Sequence, residues 1–229
     1  MLCGILLDVD GTLLLSNAAH ARAWAETLAE FGHDIPAERI QPLIGMGGDR
    51  LLPALVPGLS TEEGEGKRIA DRRQELFLEC YVRWLKPAPG TRDFLLFLRE
   101  LGLDLVVATS AKREELQALL KAAGIDDLIQ TETTTDDAEE SKPAPDIVEA
   151  ALARSGLEPH EVLMIGDTPY DVESATRAGV GIIALRCGGH SDEGLRGALA
   201  IYDDPQDLCD HYADSPIGRR EEAVGPSRL

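Results

Sequence analysis

Two carboxylates, Asp8 and Asp10, stand one residue apart between apolar runs at 5–7 and 13–15, and Gly11 and Thr12 follow them directly. A carboxylate delivered by a rigid strand can attack phosphorus and form an aspartyl-phosphate. A second acid two residues on can protonate a leaving alkoxide and later deprotonate water, provided the chain leaves regular strand geometry at Gly11. Further along stand Thr109 and Ser110, then Lys142 before a proline, then Asp167 and Asp171 within "GDTPYD". Gathered in one place, Asp8, Asp10, Asp167 and Asp171 would crowd like charges and push some of them to protonate. A hard divalent cation with oxygen ligands relieves that, and magnesium suits a site of a few carboxylates, waters and a substrate phosphate. Lys142 supplies a fixed ammonium. In this scheme Asp8 is the nucleophile, Asp10 the acid and base, and Thr109 a donor to a phosphate oxygen. Lys142 neutralises Asp8 and phosphate, Asp167 holds the metal, and Asp171 orients Lys142 or a metal-bound water. Thr109 and Ser110 could equally cap a helix, and the two roles are compatible because a helix start favours anions.

These residues converge only if the elements before them are strands of one sheet. Residues 3–8, 103–110, 127–132, 161–167 and 180–189 read as short buried strands. Residues 91–102, 112–124, 144–156 and 171–179 read as helices, two of them stopped by Gly102 and Gly124. Such alternation predicts an α/β fold with a doubly wound, Rossmann-like parallel sheet, whose ligands lie at the carboxyl ends of the strands. Between the first strand and the rest, the chain is strand-poor. Residues 17–32 form an amphipathic helix with Ala21, Trp24, Leu28 and Phe31 on one face, and helical patches follow near 50–55 and 67–85. The predicted organisation is an α/β core of residues 1–15 and 87–212, an α-helical cap of 16–86, and a flexible tail of 213–229, which is polar and carries two prolines.

The composition narrows the class of partner. Among 229 residues, 41 acids against 22 bases give a formal charge of −19, which argues against a nucleic-acid partner. No apolar run of about 18 residues predicts a membrane span, and no basic start or cleavage site predicts a signal peptide. The four cysteines, Cys3, Cys80, Cys187 and Cys209, have no zinc-like spacing and read as free thiols in a reducing cytoplasm.

"DVDGT" (8–12), "VVATS" (106–110), "SKPAPD" (141–146) and "GDTPYD" (166–171), in that order, resemble the four motifs of the haloacid dehalogenase superfamily. The helical insertion after the first motif is similar to its C1-type cap, which points to the phosphoglycolate phosphatase-like and β-phosphoglucomutase-like group. The resemblance covers about residues 3–210. It implies that Asp8 is nucleophile and magnesium ligand, that Asp10 is acid and base with its backbone carbonyl on the metal, and that Asp167 completes the metal shell. Thr109, Ser110 and Lys142 would bind phosphate. An aspartate at the second position favours phosphate transfer, since haloalkanoate dehalogenases lack that acid. The chain departs from its relatives at Leu15, where they often carry an acid.

In the cap, His20 and Trp24 lie one helical turn apart and either pack the cap on itself or place His20 in the cleft. "IGMGGDR" (44–50) is either a turn opening a helix or a loop over the substrate, with Gly47, Gly48 and Arg50 reading the leaving group. The expectation is a cytoplasmic, magnesium-dependent phosphatase for a small phosphorylated metabolite. A β-phosphoglucomutase-like mutase is the alternative, ahead of a dehalogenase or a phospho-acceptor signalling domain, which needs neither the insertion nor "GDTPYD".

Overall fold

A computed structural model describes residues 1–222 of the chain. Six strands, β1 (Gly4–Leu7), β2 (Asp104–Ala108), β3 (Thr131–Thr133), β4 (Val162–Gly166), β5 (Gly181–Leu185) and β6 (Ala200–Tyr202), form one sheet in the order β3-β2-β1-β4-β5-β6. Every pairing is parallel. β1 is flanked by β2 and β4, so Leu7 pairs with both Val107 and Ile165. Strand order reverses about β1, which opens a crevice beyond its carboxyl end.

Side chains alternate between the two faces of a strand. Ile5 and Leu7 therefore join one apolar cluster with α5 (Thr91–Glu100) and α6 (Arg113–Ala123), through Phe94, Leu98, Leu116 and Leu119. Leu6 joins the cluster on the opposite face with α7 (Asp146–Ser155) and α8 (Pro169–Arg177), through Ile147, Ala151, Val172 and Ala175. Burial on both faces explains why the central strands read as unbroken apolar runs.

Between β1 and β2 the chain is helical: α1 (Asn17–Glu30), α2 (Ala37–Ile40), α3 (Gly48–Leu55) and α4 (Gly64–Leu76). These helices share an apolar cluster of their own, including Trp24, Leu28, Ile40, Leu51, Leu52 and Ile69. The expected patch at 67–85 is one helical stretch that changes pitch after α4, with a wider turn at Phe77–Tyr81 and a tighter one at Val82–Trp84. Leu76 and Phe77 leave the insertion's cluster and pack with the sheet.

Several expectations are corrected. The strand sought at 127–132 lies at Thr131–Thr133, because Leu128 and Ile129 are spent on packing beside α6 rather than on pairing. β6 was not foreseen; it is three residues long, half-buried, and lies at the sheet edge. The flexible tail expected from 213 onward is replaced, up to residue 222, by ordered structure after α9 (Pro205–Asp210). Ser215 accepts a hydrogen bond from the Gly218 backbone, Pro216 opens α10 (Pro216–Glu222), and Ile217 is buried in the main core. Proline is preorganised for the first helical position, so here it starts a helix rather than breaking one. Residues 223–229 lie outside the described residues. None of the described helices is long and apolar enough to cross a membrane.

Candidate active site

β1 delivers Asp8 to the carboxyl edge of the sheet, and the chain then folds back on itself. The Gly11, Leu13 and Leu14 amides bond within the loop 9–14, and Leu13 and Leu14 turn into the core. Gly11 has φ +79°, and a Cβ there would lie 2.2 Å from Asp167 Oδ2, so this turn needs both the backbone freedom and the absent side chain. The runs on either side of the two acids are therefore both core, with a tight turn between them. Leu15 is the first residue to emerge, at 42% exposure.

At the floor, Lys142 Nζ donates to Asp8 Oδ1 at 2.6 Å and pairs with Asp171 Oδ1 at 2.7 Å. The Thr12 hydroxyl lies between Asp8 Oδ2 (3.1 Å) and Asp167 Oδ1 (2.9 Å). Asn17 Nδ2 donates to Asp167 Oδ2 at 2.7 Å and to the Gly188 carbonyl at 2.9 Å. Gly188 is packed so closely on Asp167 that a Cβ would sit 1.6 Å from Oδ2. Asp171 also caps α8 reciprocally: its Oδ2 accepts from the Thr168 amide at 3.0 Å, while its own amide donates to the Thr168 hydroxyl at 3.1 Å. The pattern Thr-Pro-x-Asp at the helix start encodes that arrangement. Lys142 and Asp167 are fully buried, Asp171 nearly so, and Asp8 is 6% exposed.

Burial dominates the electrostatics here. It pushes the Asp8 carboxyl up to about 7, with the Asp171 and Asp10 charges adding and Lys142 opposing. Asp167 is raised well above its ordinary value by burial and then by Asp8 and Asp171, against the hydrogen bonds from Asn17 and Thr12. For Lys142, burial works against the charge, but Asp171 and Asp8 outweigh it and hold the ammonium protonated. Carboxylate oxygens of Asp8, Asp167 and Asp171 converge within 4.8 Å. This is an all-oxygen, anionic donor set with one ammonium beside it, and it fits a hard divalent cation.

Asp10 points the other way, toward the helical insertion. Its Oδ1 meets His20 Nε2 at 2.7 Å and accepts from the Ser16 hydroxyl. Burial would raise the Asp10 carboxyl, but His20, Ser16 and Arg73 more than offset it and the net shift is downward. The His20 ring stacks on Phe77 with centroids 4.0 Å apart, and its Nδ1 contacts Arg73 of α4. Arg73 in turn donates to Glu115 of α6 at 2.6 Å. Arg73 and Glu115 were not singled out from sequence. They lie 42 residues apart in different helices, and no local pattern marks them. Thr12 was within reach of inspection, because it directly follows the two acids and Gly11.

Thr109 is buried and its hydroxyl accepts from the Ala111 amide at 3.1 Å. The Ser110 hydroxyl is buried with no hydrogen-bond partner among the described residues, and both residues line a cavity of about 300 Å³ above Asp8 and Asp10. Neither caps α6, whose N-cap is Lys112. His20 and Gly48 also line the cavity, as does Trp24. Gly47 instead lies against Ser141, and Arg50, outside the cavity lining, pairs with Glu140 at 2.6 Å. The four cysteines are free. Cys187 donates to the Gly11 carbonyl at 3.1 Å, and burial pushes its thiol up to about 12, which leaves it a weak nucleophile.

A family model described as haloacid dehalogenase-like hydrolase matches residues 4–179. A phosphoglycolate phosphatase of Rhodospirillum rubrum is 30% identical over 215 residues, covering 90% of this chain and 89% of that protein. The pyrophosphatase PpaX of Bacillus pumilus is 29% identical over 177 residues, covering 76% and 79%. Among solved structures, a hydrolase from Pseudomonas syringae superposes with a TM-score of 0.86 at 31% identity, covering 93% of this chain and 98% of that one.

Proposed function

Since the chain belongs to the haloacid dehalogenase-like hydrolases, we propose that it is a magnesium-dependent phosphatase acting on a small phosphomonoester through an aspartyl-phosphate. Asp8, Asp167 and the Asp10 backbone carbonyl would hold the ion, which when bound neutralises charge on the transferred phosphoryl group. A carboxylate oxygen of Asp8 attacks phosphorus, and the bond to the leaving oxygen breaks. Lys142 favours the ionised form of Asp8 against its burial and offsets the phosphate charge, and the Ser110 and Thr109 hydroxyls meet phosphate oxygens. Asp10, paired with His20, gives a proton to the leaving alkoxide. Asp10 then takes one from the water that attacks the phosphorus, freeing Asp8 and inorganic phosphate. Asp171 acts through Lys142 as a positioning residue. The helical insertion covers the cavity and excludes bulk water, as lids do.

The observation that carries this reading is the buried Asp8–Lys142 pair beneath a cavity lined by Thr109 and Ser110, the Ser110 hydroxyl being itself buried with no hydrogen-bond partner among the described residues. A buried donor without a partner is costly, and a phosphate oxygen would satisfy it. The test is phosphate release from a panel of phosphomonoesters with magnesium, repeated in chelator. Release that stops in chelator is expected. No release from any ester, or halide release from a chloroalkanoate instead, would overturn the proposal.

A further inference from the structure

Asp167 is fully buried, and each of its carboxylate oxygens is held by a different part of the chain. Thr12, in the loop after β1, donates to Oδ1 at 2.9 Å, and Asn17 Nδ2 donates to Oδ2 at 2.7 Å. Asn17 is the one donor on Oδ2 among the described residues. It also reaches the Gly188 carbonyl, beyond β5, at 2.9 Å. Gly11 and Gly188 clear the space for this contact. A Cβ at Gly11 would lie 2.3 Å from Asn17 Nδ2, and one at Gly188 would lie 1.6 Å from Asp167 Oδ2. The reverse orientation of the amide would set its oxygen against a carboxylate and a carbonyl, so the two acceptors dictate which way it faces.

The side chain of Asn17 serves no helix end. The N-cap of α1 is Ser16, and alanine would favour this helical position more than asparagine does. Asn17 Oδ1 is buried with no partner among the described residues, a cost that stability alone would not select. Asn17 also belongs to the insertion rather than to the sheet. The two segments that join the insertion to the core run side by side just before it. There the Leu15 amide donates to the Lys86 carbonyl, and the Ala88 amide donates to the Leu13 carbonyl. The insertion thus sends the first side chain of its first helix into the floor of the site.

Resting on the magnesium-dependent reading above, we infer that Asn17 is a positioning residue for Asp167, through which the insertion contributes to the affinity of the floor for magnesium. With a donor on each oxygen, the plane of the carboxylate is fixed before an ion binds. Without Asn17, the carboxylate is held by Thr12 alone and can turn about its bond to Cβ. Groups that hold a ligating carboxylate in this way account for about 10–100-fold in metal affinity.

The test titrates magnesium into the metal-free full chain by calorimetry, with no substrate present. Asn17→Ala is expected to raise the magnesium Kd by about tenfold or more. Thr27→Val is the control, since it removes another buried, unpartnered polar atom from the same helix, and it should leave the Kd unchanged. In the unaltered protein, the side-chain amide signals of Asn17 should shift in NMR spectra as magnesium binds, a readout that does not depend on how a variant folds. A Kd for Asn17→Ala within about threefold of the original overturns this inference and leaves the phosphatase reading standing. Amide signals unmoved at saturating magnesium, or an equal rise of the Kd in Thr27→Val, do the same. No magnesium binding to the unaltered protein overturns this inference together with the magnesium-dependent reading.

Discussion

On the floor of the cavity, Asp8, Lys142, Asp167 and Asp171 are almost fully buried, and each is held by at least two groups. On its roof, Asp49 and Glu62 are exposed, and Arg50 is spent on an ion pair at the surface. The floor hangs from the ends of parallel strands whose positions are locked by the sheet. The roof hangs from helices that carry their own small core. Placement of charge with sub-ångström precision calls for the rigid part, whereas exposed side chains on the insertion can change with little cost to the fold. One thread joins the two: Asp10, His20, Arg73 and Glu115 run from the loop after β1 through α1 and α4 to α6.

The sharpest way to break this contrast is at the floor. Asp8→Asn is expected to lower kcat by at least about 10³-fold with the fold intact by circular dichroism, since it removes the proposed attacking group. Appreciable residual turnover would assign the nucleophile elsewhere. Lys142→Met keeps much of the volume but removes the charge between Asp8 and Asp171. It should abolish turnover and cost about 3–5 kcal/mol in denaturant unfolding, the usual penalty for stranding buried charge. A loss below about 1 kcal/mol would mean that water reaches these acids.

Acidity gives a third measurement. Asp8 has an ordinary value of 3.8 unfolded and about 7 folded without a metal, so the folded state holds the extra proton between those values. Metal-free protein should therefore lose stability as pH rises from about 4 to about 7, by about 4 kcal/mol from Asp8 at most, and level off above that. Asp167 is raised in part by the Asp8 charge itself, so the two carboxyls titrate as a pair and their contributions do not simply add. Melting temperatures at about pH 5 and about pH 8 would show the drop, and added magnesium should cancel it. A flat profile would place a cation-independent balance at the floor.

The thread between floor and roof should give a smaller effect. Arg73→Gln should lower kcat by about tenfold and move the acid limb of the pH–rate profile upward, because Arg73 helps hold the Asp10 carboxyl low. An unmoved limb would make Arg73 a packing residue only. Smallest of all, Leu15→Glu at an exposed position should change stability by less than about 0.5 kcal/mol and leave kcat near its original value.

Much of the core was legible because apolar runs bounded by glycine and polar turns mark buried strands, and β1, β2, β4 and β5 all sit inside the runs read for them. β6 and α10 were not legible. β6 is three residues at an edge, too short for any periodicity. α10 opens at Pro216, just after Ser215, a pair that looks like a breaker until Ile217 is seen buried in the core. At the site, Asp8, Lys142, Asp167 and Asp171 were readable because each follows or flanks a strand, and the ends of parallel strands meet. The direction of Asp10 was not readable. Spacing alone allowed it to sit beside Asp8, but Ser16 and His20 draw it toward the insertion.

By itself the sequence determined which acids and which lysine could meet, since the hydrophobic pattern marks the strands and the carboxyl ends of parallel strands share one edge. It also determined the charge that such a meeting would have to neutralise. Only the tertiary structure decided which partners those charges take. Arg73 reaches Glu115 rather than solvent, Arg50 reaches Glu140 rather than the cavity, and Ser110 keeps a hydroxyl with no partner. The physical reason is range. Burial patterns are written in neighbours two to four residues apart, whereas the pairing of long side chains depends on how separately formed helices come to rest on the sheet.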